Sequence, residues 1–379
     1  MDKPRMLILR HFETDPRVNG FTARYDVVVA AAQSCWVVDE VTVGPMGSGA
    51  SLELDDQVFE TSRRGRVARM RAAVGFGGPF AAAARALDSF AQSRSADVVL
   101  GCTYRSPELY GRVARHLPTF VFIEERPRAF GYGDAVRSTP RSRAIATLER
   151  YGLRILLGPV RALAVIRDEE IEPARRRWRK PVLVVPHAIL PEAFIGEFDE
   201  SLAVDVLTVG NFAERRNADG LKQFLVALAA ADLDGTITVA AISATGYADE
   251  LACFAGTRFD PRPPVEFLGA AYASASMVLV PSQATSGSKT TVLQAWAAKR
   301  PIVASTESAR SVDAMDQIDL LIGDTAQEMV EQCRLLLANP ELGLRLVEAG
   351  GRHLALRHSE ASVVTALCEL INGDLRRMQ

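Results

Sequence analysis

The sequence predicts two α/β domains, each built on a doubly wound parallel sheet, and three observations carry that prediction. The chain has 379 residues, short apolar runs rich in β-branched residues alternate with longer helical segments, and the alternation starts afresh after Pro186. A chain of this length exceeds one ordinary core and suits two domains of roughly 150 to 200 residues each. Strands alternating with helices give parallel sheets covered on both faces.

In order, the first half offers strands at Met6–Leu9, Glu40–Val43, Val98–Gly101, Thr119–Ile123, Leu163–Ile166 and Val182–Val185. Helical spacing of Ala, Leu and Arg marks Arg64–Val74, Pro79–Gln92 and Glu108–Leu117 between them. The second half offers strands at Asp205–Val209, Thr236–Ile242, Val265–Leu268, Met277–Val280 and Ile302–Ala304. Pro186, Pro191 and Gly196 make the segment Pro186–Asp199 the expected linker and hinge. The domains are therefore expected at 1–186 and 187–356, with a terminal helix at 357–379 packed back on the first. Its apolar positions Val363, Val364, Leu367, Cys368 and Leu370 have helical spacing.

Composition excludes several classes. With 48% hydrophobic and 24% charged residues the chain is neither disordered nor fibrous. No run reaches the ~18 uncharged apolar residues of a membrane span. The five cysteines (Cys35, Cys102, Cys253, Cys333, Cys368) lie far apart in apolar settings, without metal-site or redox spacing, and are expected as buried thiols in a reducing compartment. These features together point to a cytoplasmic protein. The net charge of -2 conceals an asymmetry: up to residue 185 there are 29 Lys and Arg against 21 Asp and Glu, and thereafter 15 against 25. The basic half points to an anionic partner such as a lipid diphosphate, an acidic glycan or the inner face of the membrane, touched peripherally.

The segment richest in chemistry is Val280-Pro281-Ser282-Gln283-Ala284-Thr285-Ser286-Gly287-Ser288-Lys289-Thr290-Thr291-Val292-Leu293-Gln294-Ala295-Trp296-Ala297. A strand ends at Pro-Ser, a small-residue turn follows, and a helix is expected to open near Ser288 with a serine cap. Free N–H groups and the dipole at such a helix start favour phosphate, and Lys289 adds a full charge. The plain alternative is an ordinary strand-loop-helix connection.

This segment, continuing to Lys299-Arg300-Pro301-Ile302-Val303-Ala304, resembles the signature of group 1 glycosyltransferases of the GT-B fold, a retaining, metal-independent family. Three further segments are similar to that family's motifs. They are Val206–Leu221, a strand and turn containing Gly210, Asn211, Arg216 and Asn217; Val185-Pro186-His187-Ala188-Ile189; and Val265-Glu266-Phe267-Leu268-Gly269. Asp15-Pro16-Arg17-Val18 resembles the family's sequence after the first strand. The resemblance implies sugar transfer from a nucleotide-sugar donor, held by the second domain, to an acceptor presented by the first. It implies a donor site of Gly210, Asn211, Arg216, Ser286, Gly287, Ser288, Lys289, Thr290 and Gln294. Arg216 and Lys289 would offset the charge of the departing diphosphate in place of a metal, so no cofactor or metal is expected.

Departures from the pattern fall on the donor side. Where the family carries two glutamates eight positions apart, this chain has Ser286 and Gln294, and Asn211 replaces an arginine. An amide at 294 can still pair with ribose hydroxyls, whereas Ser286 supplies no carboxylate. A non-catalytic sugar-nucleotide or glycan binder of the same fold is therefore the first alternative, and a GT-B-like epimerase the second. In the first domain, Glu124 and Glu125 follow a strand end and are the candidates for catalytic base or charge stabiliser, against the alternative of pairing with Arg126 and Arg128. His11 follows the first strand and could line the cleft, His116 and His353 look like helix-end residues, His358 like a cap, and His187 replaces the hinge Asn; each of the five is more often structural than catalytic. Asp232-Leu233-Asp234-Gly235 reads as a turn, not a metal motif. The basic clusters at Arg63–Arg71 and Arg175–Lys180 admit membrane contact, the second with Trp178 as anchor, or plain solvated faces. Aromatic residues are not interleaved with the basic ones at stacking spacing, so nucleic-acid binding is not expected.

Overall fold

A computed structural model describes residues 3–11, 20–43, 50–54, 57–61, 79–102, 107–122, 157–213, 215–231, 236–243, 246–247, 249–254, 259–265, 267–282 and 289–375. The expectations for Arg64–Val74, Asp15–Val18, the Arg63–Arg71 cluster, Glu124, Glu125, Asp232–Gly235, Ser286, Gly287 and Ser288 lie outside these residues, as do the side chains of His11 and Arg216. The chain divides into two compact units: unit 1 comprises Met1–Pro16, Phe21–Pro186 and Glu360–Gln379, and unit 2 comprises Arg17–Gly20 and His187–Ser359.

Unit 1 contains an eight-stranded sheet. Its strands are β1 (Arg5–His11), β2 (Val37–Val43), β3 (Ala50–Leu54), β4 (Gln57–Thr61), β5 (Val98–Gly101), β6 (Thr119–Phe122), β7 (Ala162–Val165) and β8 (Val182–Val184). Their order is β4-β3-β2-β1-β5-β6-β7-β8. Six are parallel, with Leu7 of β1 opposite both Asp39 of β2 and Val99 of β5. The β3–β4 hairpin, not expected from the sequence, extends the sheet antiparallel to β2. All four residues of β5, β6 and β7 are buried, as befits parallel strands covered on both faces.

Helices α1 (Gly20–Cys35), α2 (Pro79–Ser93), α3 (Pro107–Val113) and α4 (Ile171–Trp178) accompany these strands. Ala83, Leu87 and Ala91 recur every four residues along α2 and are buried in the core. Beside them Asp88 is buried but paired, with Arg112 Nε at 3.0 Å and His116 Nε2 at 2.9 Å, so His116 is structural. Trp178 corrects an expectation. Ile171, Ala174 and Trp178 share one helical stripe and pack into the core, leaving Trp178 only 7% exposed and unsuited to anchor the basic cluster on a membrane.

Unit 2 holds six parallel strands, β9 (Val204–Gly210), β10 (Val239–Ser243), β11 (Phe259–Arg262), β12 (Ala275–Val280), β13 (Ile302–Ala304) and β14 (Leu321–Ile322), in the order β11-β10-β9-β12-β13-β14. The helices are α5 (Arg215–Ala231), α6 (Asp249–Ala252), α7 (Leu268–Ala273), α8 (Thr290–Ala297), α9 (Thr306–Arg310), α10 (Ala326–Ala338) and α11 (Pro340–Arg357). The expected strand at Val265–Leu268 is not formed. The edge strand is Phe259–Arg262, Pro263 and Pro264 end it, and Leu268 instead opens α7 so that Ala271 and Tyr272 reach the core. Near the C-terminus α11 ends at Arg357, where His358 caps it, and α12 (Glu360–Leu375), inside the bounds expected for the terminal helix, belongs to unit 1 and packs on β7 and β8.

Two glycines set helix approaches in unit 2. A Cβ on Gly220 of α5 would lie 2.3 Å from the Pro281 carbonyl oxygen, and one on Gly350 of α11 would lie 2.2 Å from Trp296 Nε1. Trp296 donates from Nε1 to the Asp319 carbonyl at 3.1 Å, and Asp319 Oδ2 lies 3.2 Å from His353 Nδ1. His353 sits inside α11, not at its end, with its ring against Trp296 and stacked on His358. His358 Nδ1 lies 2.7 Å from the His187 carbonyl, and burial holds its pKa below the ordinary histidine value.

Candidate functional site

Ligands of open parallel sheets bind beyond the carboxyl ends of the strands, where the winding direction reverses. In unit 2 the reversal falls between β9 and β12. From β9 the chain winds to β10 and β11 on one side, and from β12 to β13 and β14 on the other. β9 and β12 pair directly, Val206 opposite Met277, and each feeds a helix, α5 and α8. Two helix N-termini thus open at one edge of the sheet, an arrangement suited to an anion.

Several expected residues lie on this edge. Gly210 ends β9 and Asn211 follows it. Arg216 is in the first turn of α5. Lys289, half-buried, occupies the cap position of α8, and Thr290 is the first helical residue. The helix therefore starts later than the expected Ser288, and the side chain of Lys289 makes no capping hydrogen bond. The Lys289 N–H instead donates to Ser311 Oγ at 3.0 Å, which anchors the helix start to the segment after α9.

Gln294 is buried, with 7% of its surface exposed, and its Oε1 accepts the Tyr272 hydroxyl at 2.9 Å. Tyr272 is fully buried, which raises its pKa well above that of an ordinary phenol, so it keeps its proton and remains a donor. One acceptor position of the amide is thereby committed to unit 2's own core.

Sequence reasoning assigned no role to a set of small polar side chains that stitch the strand ends together. Asn217 Nδ2 donates to the Asn211 carbonyl at 3.0 Å, and Ser282 Oγ donates to Asn217 Oδ1 at 3.1 Å. Ser305 Oγ donates to the Ser282 carbonyl at 2.5 Å, Thr291 Oγ1 to the Val209 carbonyl at 3.2 Å, and the Phe212 N–H to Ser243 Oγ at 3.1 Å. These bonds join the carboxyl ends of β9, β10, β12 and β13. Phe212 stacks on Tyr247, whose hydroxyl donates to the Arg262 carbonyl at 2.6 Å and whose pKa burial pushes up to about 12. The sequence signal available was the density of Ser, Thr and Asn at strand ends, without the pairing.

In unit 1 the reversal falls between β1 and β5. There the Tyr25 hydroxyl of α1 donates to the Cys102 carbonyl, just beyond β5, at 3.0 Å. Glu124 and Glu125 follow β6, the next strand along.

Comparison with known proteins bears on both units. The family model described as "Glycosyl transferases group 1" matches residues 203–339. Residues 203–339 are a group 1 glycosyltransferase domain. The enzyme class is thereby that of the glycosyltransferases. No functionally curated protein matches the sequence. Among solved structures, sucrose-phosphate synthase from Thermosynechococcus elongatus has 13% identity and a TM-score of 0.71, over 99% of this chain and 100% of that one. The α,α-trehalose 6-phosphate synthase from Burkholderia multivorans has 13% identity and a TM-score of 0.64, over 100% and 99%. Anabaena HepE, solved with UDP, has 9% identity and a TM-score of 0.65, over 97% and 100%. The glycosyltransferase fold here is thus the two-unit GT-B fold. Among the described residues no helix is long and apolar enough to cross a membrane, and no three His, Cys, Asp or Glu side chains group as a metal site would require.

Proposed function

We propose that this glycosyltransferase moves a sugar from a nucleoside diphosphate sugar to an acceptor with retention of configuration and without a metal. The observation that carries the reading is the reversal point of unit 2, where the starts of α5 and α8 meet at one sheet edge with Arg216 and Lys289 in them. The domain's family match and the fold likeness to a protein solved with UDP support a nucleotide there. As the glycosidic bond breaks, negative charge grows on the departing diphosphate, and the two cations with the helix dipoles offset it. Glu124 and Glu125 are proposed for the acceptor side, as base or stabiliser of the oxocarbenium-like state. The basic first half favours an anionic or membrane-associated acceptor.

A second reading, a binder without turnover, is favoured by two observations: Gln294 is engaged by Tyr272, and Ser286 stands where the resemblance implies the other carboxylate. Calorimetry and turnover assays on a panel of nucleotide sugars separate the two. Binding with release of nucleoside diphosphate in excess EDTA is expected. Lys289→Ala and Arg216→Ala should each weaken donor binding about 10- to 150-fold, the loss of one charge-assisted contact. Binding without turnover on any acceptor selects the second reading, and wild-type affinity in both variants overturns the diphosphate assignment.

A further inference from the structure

Two of the five cysteines meet in space across 333 positions of sequence. Cys35 is the last residue of α1 and Cys368 lies on α12, and their sulfurs are 3.5 Å apart. Both are half-buried, so each keeps part of its surface open to solvent. The other three do not share this placement: Cys102 and Cys333 are buried, and Cys253 is exposed in unit 2. At that separation one thiol hydrogen-bonds the other, and closing it to the ~2.05 Å of a disulfide needs a sulfur displacement of about 1.5 Å.

We infer that Cys35 and Cys368 are a reversible redox site, at which a small disulfide such as oxidised glutathione converts two thiols into one intramolecular disulfide clasping α12 to α1. The thiolate of Cys35 attacks a glutathione sulfur and expels one glutathione thiolate. Cys368 then gives up its proton, attacks the Cys35 sulfur of the mixed disulfide and expels the second. Two protein thiols are oxidised, one glutathione disulfide is reduced to two thiols, and no other electron carrier is required. The order follows from the pair's own contacts. Burial and the hydrogen bond to Cys35 push the Cys368 thiol up to about 11, so it keeps its proton until Cys35 has reacted.

The clasp has a direct mechanical meaning. α12 begins one residue after unit 2 ends at Ser359, so it is the segment by which the chain returns to unit 1. A bond to α1 closes a loop that spans nearly the whole sequence, and the entropy removed from the unfolded chain grows with loop length.

Full-length protein is equilibrated with oxidised glutathione or with dithiothreitol, then examined by intact mass, non-reducing peptide mapping and thermal melting. The oxidised form is expected to be lighter by two hydrogens, to yield a Cys35–Cys368 cross-linked peptide, and to melt at least about 5 °C higher, reversibly. Cys35→Ser and Cys368→Ser should each abolish the cross-link and the shift, while Cys253→Ser keeps both. Glutathione adducts on either cysteine without a cross-link, a cross-link running only through Cys253, or a cross-link with no change in melting would each overturn the inference.

Discussion

The two units place their sheet reversals alike, and the contacts described there are a mesh in unit 2 and a long reach in unit 1. In unit 2 the loops beyond β9 and β12 are tied to each other and to β13 through Asn217, Ser282, Ser305 and Thr291. Among the described residues of unit 1, the Tyr25 hydroxyl reaches from α1 to the Cys102 carbonyl. Short hydroxyl and amide side chains have little rotamer entropy to lose, so a mesh of them fixes loop ends at low cost. The difference teaches that unit 2 presents a set of strand ends already locked before anything binds. Such locking suits electrostatic stabilisation, which gains most from groups that need not move.

The hardest blow to that comparison is a wedge. Gly220→Val would drive a side chain into the Pro281 carbonyl, forcing α5 away from β12, and should lower stability by about 1 to 3 kcal/mol or more while weakening nucleotide binding at least tenfold. Thermal melts and calorimetry read both, and normal nucleotide affinity would detach the α5 start from the site. Asn217→Ala removes the central link of the mesh and leaves Ser282 Oγ and the Asn211 carbonyl to find other partners, at about 1 to 3 kcal/mol. Comparable losses from a substitution at Tyr25 would erase the contrast between the units.

Gln294→Leu sharpens the same question. It strips the acceptor from a buried Tyr272 hydroxyl and should cost about 1 to 3 kcal/mol of stability, with most of the loss recovered in the double variant that adds Tyr272→Phe. If the double variant regains stability but not donor affinity, the amide serves nucleotide and core together. Tyr25→Phe, the probe of unit 1, should cost only about 0.5 to 1.5 kcal/mol, since one hydrogen bond is removed and a carbonyl remains. The smallest effect is a pH slope. His358 has a folded pKa below its unfolded value of 6.5, so its contribution is intact above pH 6.5 and is lost as pH falls from there towards the folded value. His358→Gln should flatten that part of the stability curve in chemical denaturation measured at several pH values.

Much of the sheet architecture was legible because buried parallel strands read as unbroken apolar runs, as Val98–Gly101 and Thr119–Phe122 do. The β3–β4 hairpin was not, since Ser51, Glu53, Gln57 and Glu60 break the apolar pattern of an edge that needs none. Val265–Leu268 misled because four residues, Val-Glu-Phe-Leu, are too few to carry a period, and only the pull of Tyr272 on the core decides for helix. At the proposed site, Gly210 and Asn211 were named through the family resemblance, and Lys289 through its place at an expected helix start. The partners were not: Asn217 and Ser282 are 65 residues apart, and Gln294 and Tyr272 are 22. Trp178 shows the same limit, because a tryptophan among arginines looks like a surface anchor until its helix stripe is seen to face inward.

The bond between His358 and the His187 carbonyl has a last consequence. It brings the end of the 187–359 segment within hydrogen-bond reach of its beginning, so the polypeptide enters and leaves that segment at one spot. A segment with adjoining ends behaves as a cassette: it can be lifted out, its ends joined by a brief linker, or reopened elsewhere in a circular permutant, without drawing its strands apart. In evolutionary terms, such a cassette can be exchanged between hosts as a single insertion.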